Sequence, residues 1–207
     1  MRVAPTILSP SLLARKMLCT AYLPAPMKAD QRFKFQAWHA MAVVKVIARH
    51  LKMRFRLRSV ERGGSGYRID LLFEASSGRT RLVEVKSSKS IREVHRLQAA
   101  LYPHIHADEV TVSNANVDEI LGAEFIQEAR SRAEVTRQFL ANNPELAAIN
   151  YTPHRDCCYT CGNSRCPFVS ELRNERRVTE ILAKSRQLEI IAKGDQVRRA
   201  GLELPGV

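Results

Sequence analysis

Three strand-like segments separated by two short turns dominate the middle of the chain. Residues 54–60 alternate arginine with apolar residues, and residues 67–74 and 79–86 also have strand character. The turns over residues 61–66 and 76–78 contain glycine. A turn as short as the second one joins its strands as a hairpin. This part of the chain is therefore predicted to form a β-meander, which commits the fold to a sheet.

Helical patterns surround these strands. The predicted helices cover residues 9–23, 31–51, 91–105, 117–140 and 170–193, and a further strand covers residues 109–113. Phe35, Trp38, Ala42, Val43 and Val46 fall on one face of the second helix and are expected to face the core. This order of elements predicts an α/β fold in which helices flank a mixed central sheet.

The charge balance points to a polyanionic partner. The chain has 207 residues with 33 Lys and Arg against 21 Asp and Glu, which gives a net charge of +12. Nucleic acid is the expected partner of so basic a small protein. No apolar run approaches the roughly 18 residues of a membrane span. Pro5 and Pro10 interrupt the apolar stretches at the beginning, which argues against a secretory leader.

The cysteines are unevenly placed. Cys157, Cys158, Cys161 and Cys166 fall within ten residues, whereas Cys19 stands alone near the other end. A secreted disulfide scaffold spreads an even number of cysteines over a shorter chain. We therefore expect a reducing cytoplasm and a metal site. The segment over residues 150–167 contains Pro153, Gly162 and Pro167 and is expected to be irregular.

Carboxylates and a lysine converge on neighbouring strands. Glu84 and Lys86 are two residues apart and share one face of a strand, while Val85 points into the core. The hairpin can bring Asp70 near Glu84. Two carboxylates suit Mg²⁺ or Mn²⁺, and an adjacent lysine can orient a water or stabilise charge on a phosphate. These groups serve metal-assisted phosphodiester hydrolysis. The alternative interpretation is an ordinary ion pair on a strand surface.

Two further features favour a site. Gln98 and Tyr102 are four residues apart and share a helix face, so that an amide and a phenol can hold the lysine or a phosphate. His39 lies in the middle of the second predicted helix and needs a polar partner. A hydrogen-bonded histidine at the edge of the core is the alternative for His39.

The order and spacing of His39, Asp70, Glu84-Val85-Lys86 and Gln98-Ala-Ala-Leu-Tyr102 resemble the RecB-like branch of the PD-(D/E)XK nucleases. The chain departs from that pattern where Ile69, rather than proline, precedes the aspartate. The resemblance implies a restriction-endonuclease-like core in which His39, Asp70, Glu84 and the Val85 carbonyl bind the metal. It also implies that Lys86 is catalytic and that Gln98 and Tyr102 support the active site and DNA.

The cysteines extend this resemblance to the CRISPR-associated RecB-like exonucleases, which carry one cysteine before the nuclease core and three after it. By that likeness Cys19, Cys158, Cys161 and Cys166 would ligate an iron–sulfur cluster, with [4Fe–4S] favoured over [2Fe–2S]. Either Cys157 or Cys158 can serve, and Cys158 is preferred because a Cys-x-x-Cys loop chelates tightly. The alternative is a zinc site, all local, in which His154 replaces Cys19.

The resemblance implies three regions. Residues 1–30 would carry the first cluster cysteine, residues 31–145 the nuclease core, and residues 146–207 the cluster segment with a closing helix. The implied function is a cytoplasmic, prokaryotic exonuclease that degrades single-stranded DNA 5′ to 3′ and trims spacer precursors for the CRISPR integrase. Lys89 and Arg92, just after Lys86, are expected to contact DNA. The alternative function is a non-catalytic adaptor that binds DNA ends.

Overall fold

The computed structural model describes residues 8–64, 67–102, 107–169 and 171. The chain divides into two compact units, Met1–Asn163 and Ser164–Val207. The secondary-structure elements named here all lie in the first unit. In chain order they are α1 (Pro10–Leu18), α2 (Ala29–Lys52), β1 (Arg56–Gly64), β2 (Tyr67–Glu74), β3 (Thr80–Lys86), α3 (Glu93–Ala100), β4 (Glu109–Asn114), β5 (Asp118–Ile120), α4 (Ala123–Asn142), α5 (Pro144–Ile149) and α6 (Arg155–Cys158).

The five strands form one mixed sheet in the order β1-β2-β3-β4-β5. β1, β2 and β3 are an antiparallel meander, β3 and β4 run parallel, and β5 returns antiparallel to β4. The turn between β2 and β3 contains Gly78 at φ 82°, a left-handed conformation that glycine adopts without strain. The predicted α/β class with a mixed sheet flanked by helices is therefore confirmed.

Helices cover both faces of the sheet. On one face α2 packs through Ala42 and Val46 onto side chains of β2 and β3. These are Leu71, Phe73, Val83 and Val85, which alternate along their strands and so share this face. On the other side α3 contacts β3 and β4, and α1 and α4 pack against α3. Val85 is fully buried, as predicted. Among the described residues, no helix combines the length and apolar character needed to cross a bilayer.

Several predicted boundaries are wrong. β1 continues to Gly64, through residues predicted as a turn, and α3 is shorter than the helix predicted over residues 91–105. The helix predicted from residue 117 begins at Ala123, because Asp118–Ile120 pair with β4. The segment over residues 150–167 contains α6 and is less irregular than expected. The helix predicted over residues 170–193 falls almost entirely outside the described residues.

The predicted core face of α2 is correct only in its second half. Ala42 and Val46 are buried, whereas Phe35 is 49% exposed and Trp38 is 56% exposed. Helical periodicity identifies a face but does not say where the sheet beneath that face ends. The first turns of α2 carry the face beyond the sheet, so their aromatic residues meet solvent.

Candidate active site

The strands β2 and β3 part at one end, and the polar residues gather there. β2 and β3 are paired as far as Leu71↔Val83, whereas β3 and β4 remain paired as far as Lys86↔Asn114. Just beyond the last β2–β3 pair, the carboxylate of Asp70 takes the place of a backbone acceptor. Its Oδ2 atom accepts a hydrogen bond from the Val85 N–H at 2.8 Å. The hairpin thus places Asp70 directly beside Glu84.

Glu84 is 2% exposed, and both of its carboxylate oxygens are engaged. Oε1 contacts the Lys86 ammonium and accepts from Gln98 Nε2 at 2.7 Å. Oε2 accepts from the Tyr102 hydroxyl at 2.5 Å. Burial raises the pKa of Glu84 above its ordinary value, and the charge on Lys86 opposes that shift. The anionic carboxylate is therefore costly here unless a cation lies beside it.

Lys86 and Gln98 lie next to that carboxylate. Lys86 leaves Val85 between itself and Glu84, so both polar side chains point away from the α2 face. The Lys86 ammonium also donates to Gln98 Oε1 at 2.9 Å. The amide of Gln98 therefore accepts from the lysine while it donates to the glutamate, which fixes the direction of both side chains.

Tyr102 closes the inner side of the cluster. Its hydroxyl lies 3.2 Å from Gln98 Nε2 and 3.1 Å from the Arg68 carbonyl oxygen, in addition to Glu84. Burial, together with the nearby Glu84 charge, raises the pKa of Tyr102, so the phenol stays protonated and remains a donor. α3 and the residues that follow it present Gln98 and Tyr102 side by side, as their spacing predicts.

His39 reaches the cluster from the opposite helix layer. Its Nε2 atom lies 3.4 Å from Asp70 Oδ1, and its side chain is 30% exposed. The hydrogen bond with Asp70 raises the pKa of His39, although partial burial opposes this. The imidazole is thus half-buried and hydrogen-bonded to Asp70, an arrangement that fits both a metal ligand and the alternative of a hydrogen-bonded histidine at the edge of the core.

The chemistry of these donors fits a hard divalent cation. Asp70 and Glu84 supply two buried carboxylates, and His39 and the Val85 carbonyl are further candidate ligands. Within the described residues, no group of three His, Cys, Asp or Glu side chains is arranged to hold a metal ion as it stands. Lys86 supplies the positive charge beside Glu84 in this arrangement. A cation at the carboxylates would compete with that ammonium contact.

Lys89 and Arg92 engage other partners. The Lys89 carbonyl accepts from Asn114 Nδ2 at 3.1 Å, and its side chain is exposed. Arg92 precedes α3, and its guanidinium lies 4.0 Å from Asp156. Arg92 also lines a polar cavity of about 280 Å³. The other lining residues are Ser90, Arg155, Asp156 and Tyr159. The sequence did not single out Arg155 or Tyr159, because only the tertiary fold brings them to Arg92.

A second cluster joins two distant segments of the first unit, and we call it the cysteine clasp (residues 15–25 with residues 157–163). Pro24 pairs with Cys161 in an isolated antiparallel bridge. The Gly162 N–H donates to the Leu23 carbonyl at 2.7 Å, and the Ala25 N–H donates to the Thr160 carbonyl at 3.2 Å. A Cβ on Gly162 would lie 2.9 Å from the Ala25 Cα, so only glycine permits this approach.

Thiols line the clasp. Cys19, Cys157, Cys158 and Cys161 are all buried, and no disulfide joins any of the five cysteines, each of which is among the described residues. The Cys157 thiol donates to the Arg15 carbonyl at 3.4 Å. Burial, reinforced by the nearby Cys19, raises the pKa of Cys157 to about 12. The Asn163 N–H donates to Cys161 Sγ at 3.5 Å. The Cys157 thiol therefore stays protonated.

Lys16 is the residue of the clasp that the sequence did not single out. Its ammonium donates to the Thr20 carbonyl at 2.5 Å, and burial lowers the pKa of Lys16, while Cys19 and Cys161 oppose that shift by their charge. The only feature of the sequence that pointed to Lys16 was its position one helical turn before Cys19.

Two further residues were predicted as possible ligands, Cys166 for the iron–sulfur cluster and His154 for the zinc alternative. Cys166 belongs to the second unit, where it is buried and its carbonyl accepts from the Val169 N–H at 3.3 Å. His154 begins α6: its Nδ1 atom accepts from the Asp156 N–H at 3.3 Å. Its Nε2 atom lies 3.3 Å from Glu93 Oε2. Both ring nitrogens of His154 therefore already have partners.

No protein-family model matches this chain, and no curated protein or solved structure matches it significantly.

Proposed function

We propose that the protein is a divalent-metal-dependent DNA nuclease of the restriction-endonuclease-like type, acting on single-stranded DNA from an end. One observation carries the proposal: His39, Asp70, Glu84 and Lys86 meet where β2 and β3 part. A buried carboxylate whose negative charge is satisfied by a single lysine costs stability. Such a cost is typical of functional sites, where charge is concentrated for chemistry rather than for folding.

Each residue has a distinct role in this proposal. Asp70 and Glu84 hold the cation, with His39 and the Val85 carbonyl as supporting ligands. A bound Mg²⁺ or Mn²⁺ lowers the pKa of a water and offsets charge on the phosphate. Lys86 orients the attacking water or neutralises the oxygen charge that develops when the P–O bond breaks.

Gln98 and Tyr102 are positioning residues. The Gln98 amide links the lysine to the glutamate, and the Tyr102 hydroxyl holds the other glutamate oxygen. A network with every member satisfied keeps the carboxylate in one orientation. The net charge of +12 favours a polyanionic substrate over a small molecule.

We further propose an iron–sulfur cluster that ties the cysteine clasp together. Cys19, Cys158 and Cys161 supply three ligands from the clasp, and the sequence spacing suggests Cys166 as the fourth. Cys157 is the spare cysteine, since its thiol donates to a carbonyl. The engaged ring nitrogens of His154 disfavour the local zinc alternative. A bound cluster would supply a covalent link between distant segments, and [4Fe–4S] is favoured over [2Fe–2S].

The direction of cleavage, 5′ to 3′, and the supply of trimmed DNA to a CRISPR integrase are proposals from the motif resemblance. Both depend first on whether the chain cleaves DNA at all.

A cleavage assay tests the function. Anaerobically purified protein is incubated with single-stranded DNA labelled at the 5′ or the 3′ end, in Mn²⁺, Mg²⁺ or EDTA. Asp70→Asn keeps an acceptor for the Val85 N–H but removes the charge. Glu74→Gln is the matched control, because Glu74 lies on the same strand and pairs with Arg56 and Arg58.

The proposal predicts metal-dependent loss of label by the wild type and by Glu74→Gln, and none by Asp70→Asn. The order in which labelled products appear gives the direction. Cleavage that survives in Asp70→Asn contradicts the site. Tight DNA binding without cleavage by protein that retains its metal favours the end-binding adaptor instead. Visible absorption from thiolate-to-iron charge transfer, together with metal analysis, distinguishes iron from zinc.

A further inference from the structure

One face of α2 continues past the sheet toward the open side of the active site. Val46 and Ala42 are buried against the sheet on this face, and His39 is half-buried at its edge. Residues three and four apart lie on one helix face, so Phe35, four residues before His39, continues the same face. Phe35 lies about 6 Å further along the helix axis, at 1.5 Å per residue.

Two aromatic rings are exposed at this point. Phe35 and Trp38 form an edge-to-face pair with ring centroids 5.7 Å apart. Both remain about half exposed, although each would bury a large apolar area if it had a partner. Exposed apolar patches that are rimmed by polar residues mark interaction sites.

Basic residues surround the aromatic pair. Lys28, Arg32 and Lys34 lie in or just before the first turns of α2, where Asp30 is the only acidic residue. Aromatic faces among positive charges are the combination that holds single-stranded nucleic acid, with stacking on the bases and attraction to the phosphates. The charge pattern therefore favours a strand of DNA over an uncharged apolar partner.

We propose that Phe35 and Trp38 form a stacking platform for the unpaired bases that neighbour the scissile phosphate. This inference rests on the proposed nuclease function, and it assigns the preference for single strands to two named residues. The bases of a duplex are already paired and stacked, so they cannot lie on these rings without being unstacked. A strand held there would present its next phosphates to His39, Asp70 and Glu84.

The outer face of the same helix is a separate surface. Phe33, Met41, Val44 and Leu51 are exposed there, and Phe33 is 72% exposed. Phe33 points away from the face of His39, because two residues advance a helix by about 200°. This difference provides a matched control, since the same substitution can be made at two exposed phenylalanines on opposite faces.

The single tryptophan makes the test direct, because Trp38 is the only Trp in the chain. Its fluorescence is followed in EDTA, so that cleavage is absent, while the protein is titrated with oligothymidylate. A strand of equal length and charge that contains abasic sites is the second ligand, and a blunt duplex is the third. The proposal predicts strong quenching by the oligothymidylate and weak quenching by the abasic strand and the duplex.

Substitutions then separate the two faces. Labelled single-stranded DNA measures affinity for the wild type, Phe35→Ala, Trp38→Ala and Phe33→Ala. We expect the first two substitutions to weaken binding about 5- to 100-fold, the range for loss of one stacked base, and Phe33→Ala to leave affinity unchanged. All three side chains are exposed, so the fold should tolerate each change.

Equal quenching by the abasic strand, or equal loss of affinity in Phe33→Ala, would overturn the platform. A concentration-dependent dimer that dissociates in Phe35→Ala and Trp38→Ala without a change in DNA affinity would overturn it in favour of a second copy. Cleavage with no effect of these two substitutions contradicts the platform and leaves the nuclease intact. Stacking of bases on the two rings without any cleavage of DNA would support the platform and contradict the nuclease.

Discussion

The candidate active site and the cysteine clasp are built on opposite principles. The active site draws Asp70, Glu84, Lys86, Gln98 and Tyr102 from consecutive elements of the chain, and only His39 comes from further away. The cysteine clasp joins residues that are more than 130 positions apart, as in the 142-residue separation of Cys157 and Arg15. The candidate active site is thus assembled mostly from neighbouring elements, while the cysteine clasp depends on long-range contacts.

The two regions also differ in what their contacts contribute. The candidate active site buries Glu84, whose anionic form is disfavoured by burial, so this carboxylate lowers the stability of the fold. The clasp is made of backbone hydrogen bonds and buried thiols, which join two distant segments of the chain. Changes in the active site should therefore abolish cleavage and leave the fold, and changes in the clasp should do the reverse.

The largest effect is expected from Glu84→Gln. The amide keeps the shape of the side chain but removes the charge that holds the cation, so cleavage should fall by about 10³-fold. The melting temperature should change little, because the variant removes a costly buried charge and at the same time the charge partner of Lys86. Initial cleavage rates and thermal melts measure the two effects. A variant that loses activity only because it unfolds would contradict the expectation that the active site governs cleavage and the clasp governs stability.

Cys161→Ser should produce the opposite result. Ligand binding across distant segments is folding free energy, of order 10 kcal/mol for structural metal sites, so this variant should lose several kcal/mol of stability. Cys157→Ser is the matched control, because a serine hydroxyl can still donate to the Arg15 carbonyl, and it should cost only about 1 kcal/mol. Denaturant unfolding measures both. Equal losses in the two variants would contradict the choice of ligand.

Gly162→Ser tests the clasp without touching a thiol. The new Cβ would meet the Ala25 backbone at 2.9 Å, and such overpacking costs about 1–3 kcal/mol. Gly122→Ser carries the same change to the N-cap of α4, where nothing lies within 4 Å and serine is a favourable cap. Unfolding curves should show a loss for the first variant alone, with normal cleavage per folded molecule. Matching curves would mean that the clasp does not limit stability.

The smallest effects come from two tyrosine hydroxyls. Tyr102→Phe removes the donor to Glu84 and should lower cleavage about 10-fold, with about 1 kcal/mol of stability lost. Tyr22→Phe removes a donor to the Thr160 carbonyl in the clasp and should cost a similar stability with unchanged cleavage. Parallel assays of rate and unfolding compare them. An equal effect of both on cleavage would show that the regions are coupled.

Much of the sheet could be predicted because its signals are local. The bounds of β2 and β3 follow from alternation and from the Gly78 turn, so the prediction differs from the structure by at most one residue. β5 could not be predicted in this way, because it is three residues long and two of them are acidic. Arg49 binds Asp118 at 2.8 Å and Arg96 contacts Glu119 at 2.5 Å, so distant arginines hold this strand in place.

The positions of some candidate active-site residues relative to one another were predictable for the same reason. Spacing along a strand places Glu84 beside Lys86, with no knowledge of the tertiary fold. A spacing of four residues also indicated that Gln98 lies near Tyr102, although α3 ends at Ala100, two residues before the tyrosine. The clasp was predictable only as a set of thiols. The pairing of Pro24 with Cys161 and the cation at Lys16 depend on contacts between distant segments, which no local pattern encodes.

The most direct test is Mn²⁺ binding, measured by the loss of the electron paramagnetic resonance signal of free Mn²⁺. The account predicts that wild-type protein and Glu74→Gln remove Mn²⁺ from solution and that Asp70→Asn does not, while all three unfold at the same temperature. Unaltered Mn²⁺ binding by Asp70→Asn, or no binding by the wild type, would contradict the assignment of these carboxylates as the metal site.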